Sequence, residues 1–284
     1  MPEPEAPPPS AVAPQDYQFV RDFLRKEIGY DLGDDRQYLV LSRLAPIAAA
    51  FDLEDISQLV ARLRLAADRV LREAVVDAMT INETSFFRGG PRLFDTLARE
   101  VIPALLPSRA AQRRLRIWCG ACATGQEPYS IAITLAEQCP QLRDWQVEIL
   151  ATDISDTALA QARQGMYSQF EVQRGLPVPT LEKHFTQRED RWFISDLVRA
   201  QIEFRKHNLL DSFLFLQPPF DIIFLRNVLI YFDNAAKTAL FDRLRQAIAP
   251  DGYLVLGETE SVMGLTDQFL LPDSQRDYVV PSRA

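Results

Sequence analysis

Histidine and cysteine are scarce in this 284-residue chain, at two and three residues. Three cysteines do not make a disulfide-stapled scaffold, and a reducing cytoplasm follows as the expected setting. Long hydrophobic runs are missing as well. No window approaches the roughly 18 consecutive apolar residues of a membrane span, so direct membrane insertion is not expected. The opening MPEPEAPPPSAVAPQ has neither a basic n-region nor an apolar h-region. Residues 1–15 therefore read as a flexible Pro-rich tail rather than a signal peptide. Positive charge is in deficit, with 31 Lys+Arg against 39 Asp+Glu and a net charge of −8. A protein that neutralises duplex phosphates is ordinarily basic, so nucleic acid is disfavoured as a partner. There is no internal repeat and no oligomerisation signal, which leaves a monomer as the default. What is present is ordinary globular composition, 47% hydrophobic and 25% charged, with ample material for a core.

Residues 16–80 carry helical patterns almost throughout: DYQFVRDFLRKEIGY, RQYLVLSRLAPIAAAF, ISQLVARLRL and ADRVLREAVVDAM. Apolar residues recur at three- and four-residue spacing, and Asp55 and Asp68 are placed to cap the third and fourth helices. A linker and helix over 81–114 lead into a second region. From Leu115 the pattern becomes strand, glycine turn, helix, strand. LRIWCG, VEILATD, FDIIFLRN and GYLVLGE are apolar strands, and EPYSIAITLAEQ, SDTALAQARQG and AAKTALFDRLRQAI are amphipathic helices. Alternation of this kind predicts an α/β domain over 115–284, a parallel sheet covered on both faces by helices. Residues 166–207 break the alternation: MYSQFEV, DRWFISD and RAQIEFR read as short strands around one helix, PTLEKHF, an inserted antiparallel β-subdomain.

Ligands of open α/β sheets sit outside the carboxyl ends of the strands. The first strand ends in the small-residue loop Gly120–Gly125, where backbone can approach a ligand closely. It is not a dinucleotide fingerprint, because G-x-G-x-x-G is absent. The second strand ends in Asp153, placed to accept the ribose hydroxyls of an adenosine-type ligand. Glu127 in the following helix is a second carboxylate near the same mouth. Two acids there suit a cationic ligand, S-adenosylmethionine, better than a polyphosphate. The bland alternative is that both carboxylates only cap helices. Arg226 and Asn227, just past the third strand, add polar groups over the same crevice.

The ordered motifs N-E-T-S-F-F-R (82–88), G-x-x-x-T-G-Q-E-P-Y-S (120–130), A-T-D-I-S (151–155) and F-L-R-N-V-L-I-Y-F-D (224–233) resemble the chemotaxis receptor glutamate methyltransferases, the CheR family. The resemblance runs from about residue 16 to 280. It implies an all-helical N-terminal domain and a Rossmann-like methyltransferase domain using S-adenosylmethionine and releasing S-adenosylhomocysteine. Carried over by position, Asn82, Thr84 and Arg88 would reach the methionine end of the cofactor. Gly120 would bind the cofactor, Glu127 would contact its amino-acid portion or help shape that end, Asp153 would take the ribose, and Asn208 and Leu209 would flank the adenine. Arg226 and Asn227 would line the pocket wall, and Tyr231 would stand near the transferable methyl. The implied partner is the cytoplasmic helical bundle of a methyl-accepting chemoreceptor.

An ionised glutamate is already a nucleophile at neutral pH, so methyl transfer to it needs alignment and exclusion of water rather than a strong base. Arg88 would hold the incoming carboxylate, and Tyr231 would orient its oxygen. Cys119 and Cys122 form a lone C-x-x-C with no second pair, so no metal is expected. Gln217–Phe220 (QPPF) resembles an amino-methyltransferase signature but precedes its strand instead of following it. Arg62, Arg69 and Arg72 would share one quadrant if their helix were continuous, and are the candidate receptor-docking residues. Residues 1–84 nevertheless carry 9 Lys/Arg and 15 Asp/Glu, so any basic face must be local. Some family members capture a receptor-tail pentapeptide on a Gly-rich loop of the β insert. FTQREDRWFISD has no glycine, so dependence on such a peptide is not expected. Two alternatives remain open: a methyltransferase of the same fold acting on a small molecule or nitrogen, and a non-catalytic S-adenosyl sensor.

Overall fold

The structure is a computed structural model that describes residues 12–65, 67–271 and 278–282; most of the Pro-rich stretch lies outside them. The chain divides into two compact units, Met1–Ile81 and Asn82–Ala284.

The first unit is four helices: α1 (Pro14–Ile28), α2 (Gln37–Ala50), α3 (Ile56–Arg64) and α4 (Arg69–Met79). Each buries a stripe at four-residue spacing, Val20 and Leu24, Val40 and Leu44, Leu59 and Leu63, Leu71 and Val75. Asp55 and Asp68 are N-caps as expected, their carboxylates accepting the Gln58 and Leu71 N–H groups at 2.8 and 3.0 Å; a cap of this type is worth about 1 kcal/mol. The cap at Asp68 also overturns one expectation. Arg62 ends α3 and Arg69 and Arg72 begin α4, so the three arginines do not share a face of one helix. Arg62 Nε donates to Asp68 at 2.7 Å and lies over the Phe51 ring. Arg72 donates to Glu27 at 2.6 Å and lies over Phe23. Arg69 is the most exposed of the three, its side chain 85% accessible and 3.7 Å from Glu73.

In the second unit α5 (Gly90–Thr96), a π-helical turn (Leu97–Val101) and α6 (Ile102–Arg109) precede β1 (Arg114–Gly120). There follow α7 (Gln126–Gln138), β2 (Gln146–Asp153), α8 (Asp156–Gln164), β3 (Met166–Ser168), α9 (Gln169–Gln173) and α10 (Val178–His184). Then come β4 (Phe185–Arg188), β5 (Arg191–Ile194), α11 (Asp196–Arg199), β6 (Ile202–Lys206), β7 (Phe220–Leu225), α12 (Asn234–Ala247), β8 (Ile248–Leu256), β9 (Phe269–Leu270) and β10 (Tyr278–Pro281). The large sheet has the order β6-β2-β1-β7-β8-β10-β9. Its first five strands are parallel, and β10 pairs antiparallel with both β8 and β9. All six residues of β7 are buried, as befits a strand covered on both faces. The period-2 alternation of the pleat splits the core in two. Ile117, Cys119, Ile222 and Phe224 join α5–α7 on one side, while Trp118, Ile223 and Leu225 join α12 on the other.

The inserted sheet is smaller than the sequence pattern implies. RAQIEFR is not part of it: β6 pairs in parallel with β2, from Ile149↔Ile202 to Asp153↔Lys206. Ile202 is buried there in the first core. Within MYSQFEV only Met166–Ser168 is strand, because a Ser168–Glu171 capping box starts α9 immediately. The insert is therefore the antiparallel sheet β3-β5-β4, with its helices beside it.

Candidate active site

The chain runs from β1 outward to β2 and β6, then returns to β7 on the far side of β1. This reversal opens the crevice in which ligands of such sheets bind. At the crevice the backbone is strained. Ala121 and Ala123 after β1, Asn227 after β7 and Phe87 in the linker all have positive φ, between 47° and 58°.

Asp153 is buried and anchors both flanks of the β2 end. Its Oδ2 accepts from Ala123 N–H at 2.8 Å and its Oδ1 from Ser155 N–H at 2.9 Å. One carboxylate thus shapes the small-residue loop and the approach to α8. Helix α8 is capped by the Ser155 hydroxyl, not by Asp153. The segment after β6 closes in from the side. His207 N–H donates to the Asp153 carbonyl at 2.9 Å, and Asn208 Oδ1 accepts from Leu210 N–H at 3.0 Å. A Cβ built on Gly120 would stand 3.4 Å from Leu209 Cδ2 and 2.9 Å from Leu225 Cδ1, so Gly120, Leu209 and the β7 end share one wall.

Glu127 departs from expectation. It is not a free second acid: Arg226 Nη1 donates to its Oε2 at 2.7 Å, with the side chains 3% and 12% exposed for Arg226 and Glu127. The mouth therefore holds a charge-balanced pair beside one further carboxylate, and the argument from two uncompensated acids does not stand. Arg226 Nε is buried without a hydrogen-bond partner. The linker reaches the same place, since a Cβ on Gly89 would lie 2.6 Å from Arg226 Nη2. Phe87 N–H donates to Ser130 Oγ on α7 at 2.9 Å, fixing the linker across that helix.

Arg88 and Tyr231 lie on different segments, the linker and the turn after β7. Arg88 Nη1 donates to the Glu83 carbonyl at 2.6 Å, and Glu83 in turn pairs with Arg174. Tyr231 ends a 3-10 turn, Leu229–Tyr231, half-buried against the α12 side of the core. Asn82 and Thr84 lie half-buried in the same linker as Arg88. The small sheet buttresses this linker: Phe86 packs edge-on against Tyr167 and Phe185, with ring centroids 5.0 and 5.4 Å apart. Tyr167 O–H also donates to the Thr124 carbonyl in the small-residue loop at 2.8 Å. Neither this buttress nor Glu260, whose carboxylate binds the turn after β7, carries a motif signal beyond an aromatic in a short strand and an acid three residues after Gly257.

Cys119 and Cys122 are buried beside this loop. Burial first, then the charge of Glu127 or Asp153 respectively, pushes both thiols well above their ordinary range, so they stay protonated at neutral pH. Among the described residues no group of three His, Cys, Asp or Glu could hold a metal ion. Gln217–Phe220 leads into the amino end of β7, opposite the crevice.

Comparison with known proteins agrees with this arrangement. Residues 82–277 match the family profile "CheR methyltransferase, SAM binding domain", and residues 15–80 match "CheR methyltransferase, all-alpha domain". The chain is 40% identical over 259 residues to chemotaxis protein methyltransferase Cher2 of Pseudomonas putida, covering 89% of this chain and 93% of that one. It is 42% identical over 264 residues to the chemotaxis protein methyltransferase of Vibrio parahaemolyticus, covering 91% and 93%. With chemotaxis protein methyltransferase 1 of Pseudomonas aeruginosa the identity is 39% over 264 residues, covering 91% and 94%. From its helical unit to its S-adenosylmethionine-binding unit, the chain belongs to the CheR chemotaxis methyltransferase family.

Proposed function

We propose that this protein transfers a methyl group from S-adenosylmethionine to glutamate carboxylates on the cytoplasmic helices of a chemoreceptor, forming glutamyl methyl esters. The observation that carries this reading is the buried Glu127–Arg226 pair beside Asp153. The amino-acid end of S-adenosylmethionine is a zwitterion, and an adjacent carboxylate and guanidinium complement its ammonium and carboxylate. The unpartnered Arg226 Nε offers a further donor. Asp153, at the carboxyl end of β2, would take the ribose hydroxyls, and Asn208 and Leu209, just past β6, would flank the adenine. Asn82 and Thr84 would complete the methionine end from the linker, with Asn227 on the wall. When bound, the cofactor supplies an electrophilic methyl group.

The chain's own residues then have to align an already ionised nucleophile and exclude water. Tyr231 O–H orients the accepting carboxylate oxygen, and the Arg88 guanidinium, drawn from the Glu83 carbonyl, holds the carboxylate bidentately. The enzyme works as a cytoplasmic monomer on the receptor bundle, with Arg69 the most exposed of the three candidate docking arginines. The β4–β5 hairpin turns through Glu189 and Asp190 without glycine, which supports catalysis independent of a tethering receptor tail.

The test is transfer of radiolabelled methyl from S-adenosylmethionine to chemoreceptor cytoplasmic fragments, followed by mild alkali. Label released as volatile methanol, and lost on Glu-to-Ala change in the receptor, is the expected result. Alkali-stable label would assign transfer to nitrogen instead, and cofactor binding without any label would favour a sensor.

A further inference from the structure

The loop after β8 supplies a carboxylate that reaches back to the strand beside it. Glu260 Oε2 accepts from Asn227 N–H at 2.8 Å and from Gly257 N–H at 2.7 Å, and Oε1 accepts from Leu229 N–H at 2.7 Å. These donors lie just past the ends of β7 and β8, where the sheet ladder no longer satisfies them, and leaving them unpaired is costly. Asn227 is also held at φ 58°, a conformation that persists only where surroundings enforce it. The fit leaves no room for adjustment. A Cβ on Gly257 would fall 2.7 Å from Glu260 Oε2 and 2.9 Å from Asn227 Nδ2. Behind the carboxylate the loop is anchored by buried Val262, whose carbonyl accepts the Leu265 N–H at 3.1 Å. Thr238 of α12 donates in turn to the Leu265 carbonyl at 3.3 Å.

We propose that Glu260 is a positioning residue for methyl transfer. It sets the left-handed turn at Asn227 and the 3-10 turn that follows, and so fixes where the Asn227 side chain and the Tyr231 hydroxyl stand. This rests on the reading of Asn227 and Tyr231 as site residues given above. A glutamine at 260 preserves shape, but its amide nitrogen cannot accept. At least one of the three N–H groups then faces another donor.

Full-length wild type, Glu260→Gln, Gly257→Ala and the exposed neighbour control Glu258→Gln are compared in three measurements. These are amide exchange of the peptide spanning 227–231, calorimetric affinity for S-adenosylhomocysteine, and single-turnover methyl transfer at saturating cofactor and receptor fragment. Glu260→Gln is expected to speed exchange in that peptide and to slow transfer per folded molecule, each by about tenfold or more. Gly257→Ala should reproduce the pattern by wedging the same clamp open, and Glu258→Gln should match wild type. Unchanged exchange over 227–231 in Glu260→Gln would overturn the proposal. Faster exchange with wild-type transfer per folded molecule would overturn it equally, leaving Glu260 a structural brace. If wild type itself labels no receptor fragment, the methyl-transfer reading fails separately. Exchange and S-adenosylhomocysteine affinity then decide the clamp: faster exchange with affinity weakened about tenfold upholds it, and no change in either refutes it.

Discussion

Replacing Arg226 by methionine removes one half of the ion pair at the mouth and little of the volume. Glu127, 12% exposed, would then be left as an uncompensated buried carboxylate. Stranding one member of a buried pair typically costs about 3–5 kcal/mol. For a unit of this size that lowers the melting temperature by roughly 6–20 °C. The pair itself contributes far less than this, because desolvation offsets its attraction and Arg226 Nε is already unsatisfied. The double variant Glu127→Gln/Arg226→Met should therefore melt close to wild type, within about 1 kcal/mol. Stability and function then part. The refolded double variant lacks both charges proposed above to meet the zwitterionic end of the cofactor. At about 1.5–3 kcal/mol for each charge-assisted bond, its affinity for S-adenosylmethionine should fall roughly 100-fold or more. Differential scanning calorimetry and titration calorimetry on the three proteins read both effects. Melting of Arg226→Met within about 2 °C of wild type would show that the pair is not desolvated as its burial indicates. A double variant no more stable than the single one would show that packing, not charge, was lost.

On the role proposed for its hydroxyl, Tyr231→Phe should bind cofactor normally and lower single-turnover methyl transfer by roughly 10–100-fold. Tyr167→Phe breaks the bond to the Thr124 carbonyl; it should cost about 1–2 kcal/mol by thermal melting and raise the KM for S-adenosylmethionine. Gly175 has φ 88°, and a Cβ there would lie 2.0 Å from the Phe86 carbonyl oxygen. Gly175→Ala should cost about 2–3 kcal/mol and disturb the linker, seen as loss of transfer beyond the loss of folded protein. Asp251 is held down to about 2 by the Arg109 hydrogen bond, with burial opposing and Ser108 assisting. Its folded value lies below the unfolded one near 3.9, so its stabilisation is complete above about pH 5 and is lost as pH falls towards 2. Asp251→Asn should flatten the melting-temperature curve over that window, by a small and salt-sensitive amount because the side chain is 51% exposed.

Much of the fold was legible because it is written in short-range chemistry. The apolar strands β1, β2, β7 and β8, the caps Asp55 and Asp68 and the closing Gly165 of α8 all follow from periodicity and local hydrogen bonding. The site was legible only as a set of strand ends. Topology alone shows that Leu209 faces Gly120, and that Gly89 lies against Arg226. Pairing defeated the charge argument at Glu127, because its partner is 99 residues away in sequence. The single face drawn through Arg62, Arg69 and Arg72 does not form, for the opposite reason. A one-residue signal, the Asp68 cap, outweighs a face drawn on an imagined continuous helix. RAQIEFR reads as a strand by composition, but composition does not say which of two sheets offers it a buried partner.

Strand β10 sits between β8 and β9, and its Tyr278 O–H donates to the Leu93 carbonyl 185 residues earlier. Without β10, β8 would keep one edge unpaired and β9 would have no neighbour in the sheet. An open strand edge is a template for intermolecular pairing. Released chains cut before residue 278 should therefore be the form most prone to aggregate and most dependent on chaperones. Fusions that hinder the last strand should lower the yield of soluble protein without touching any residue of the active site.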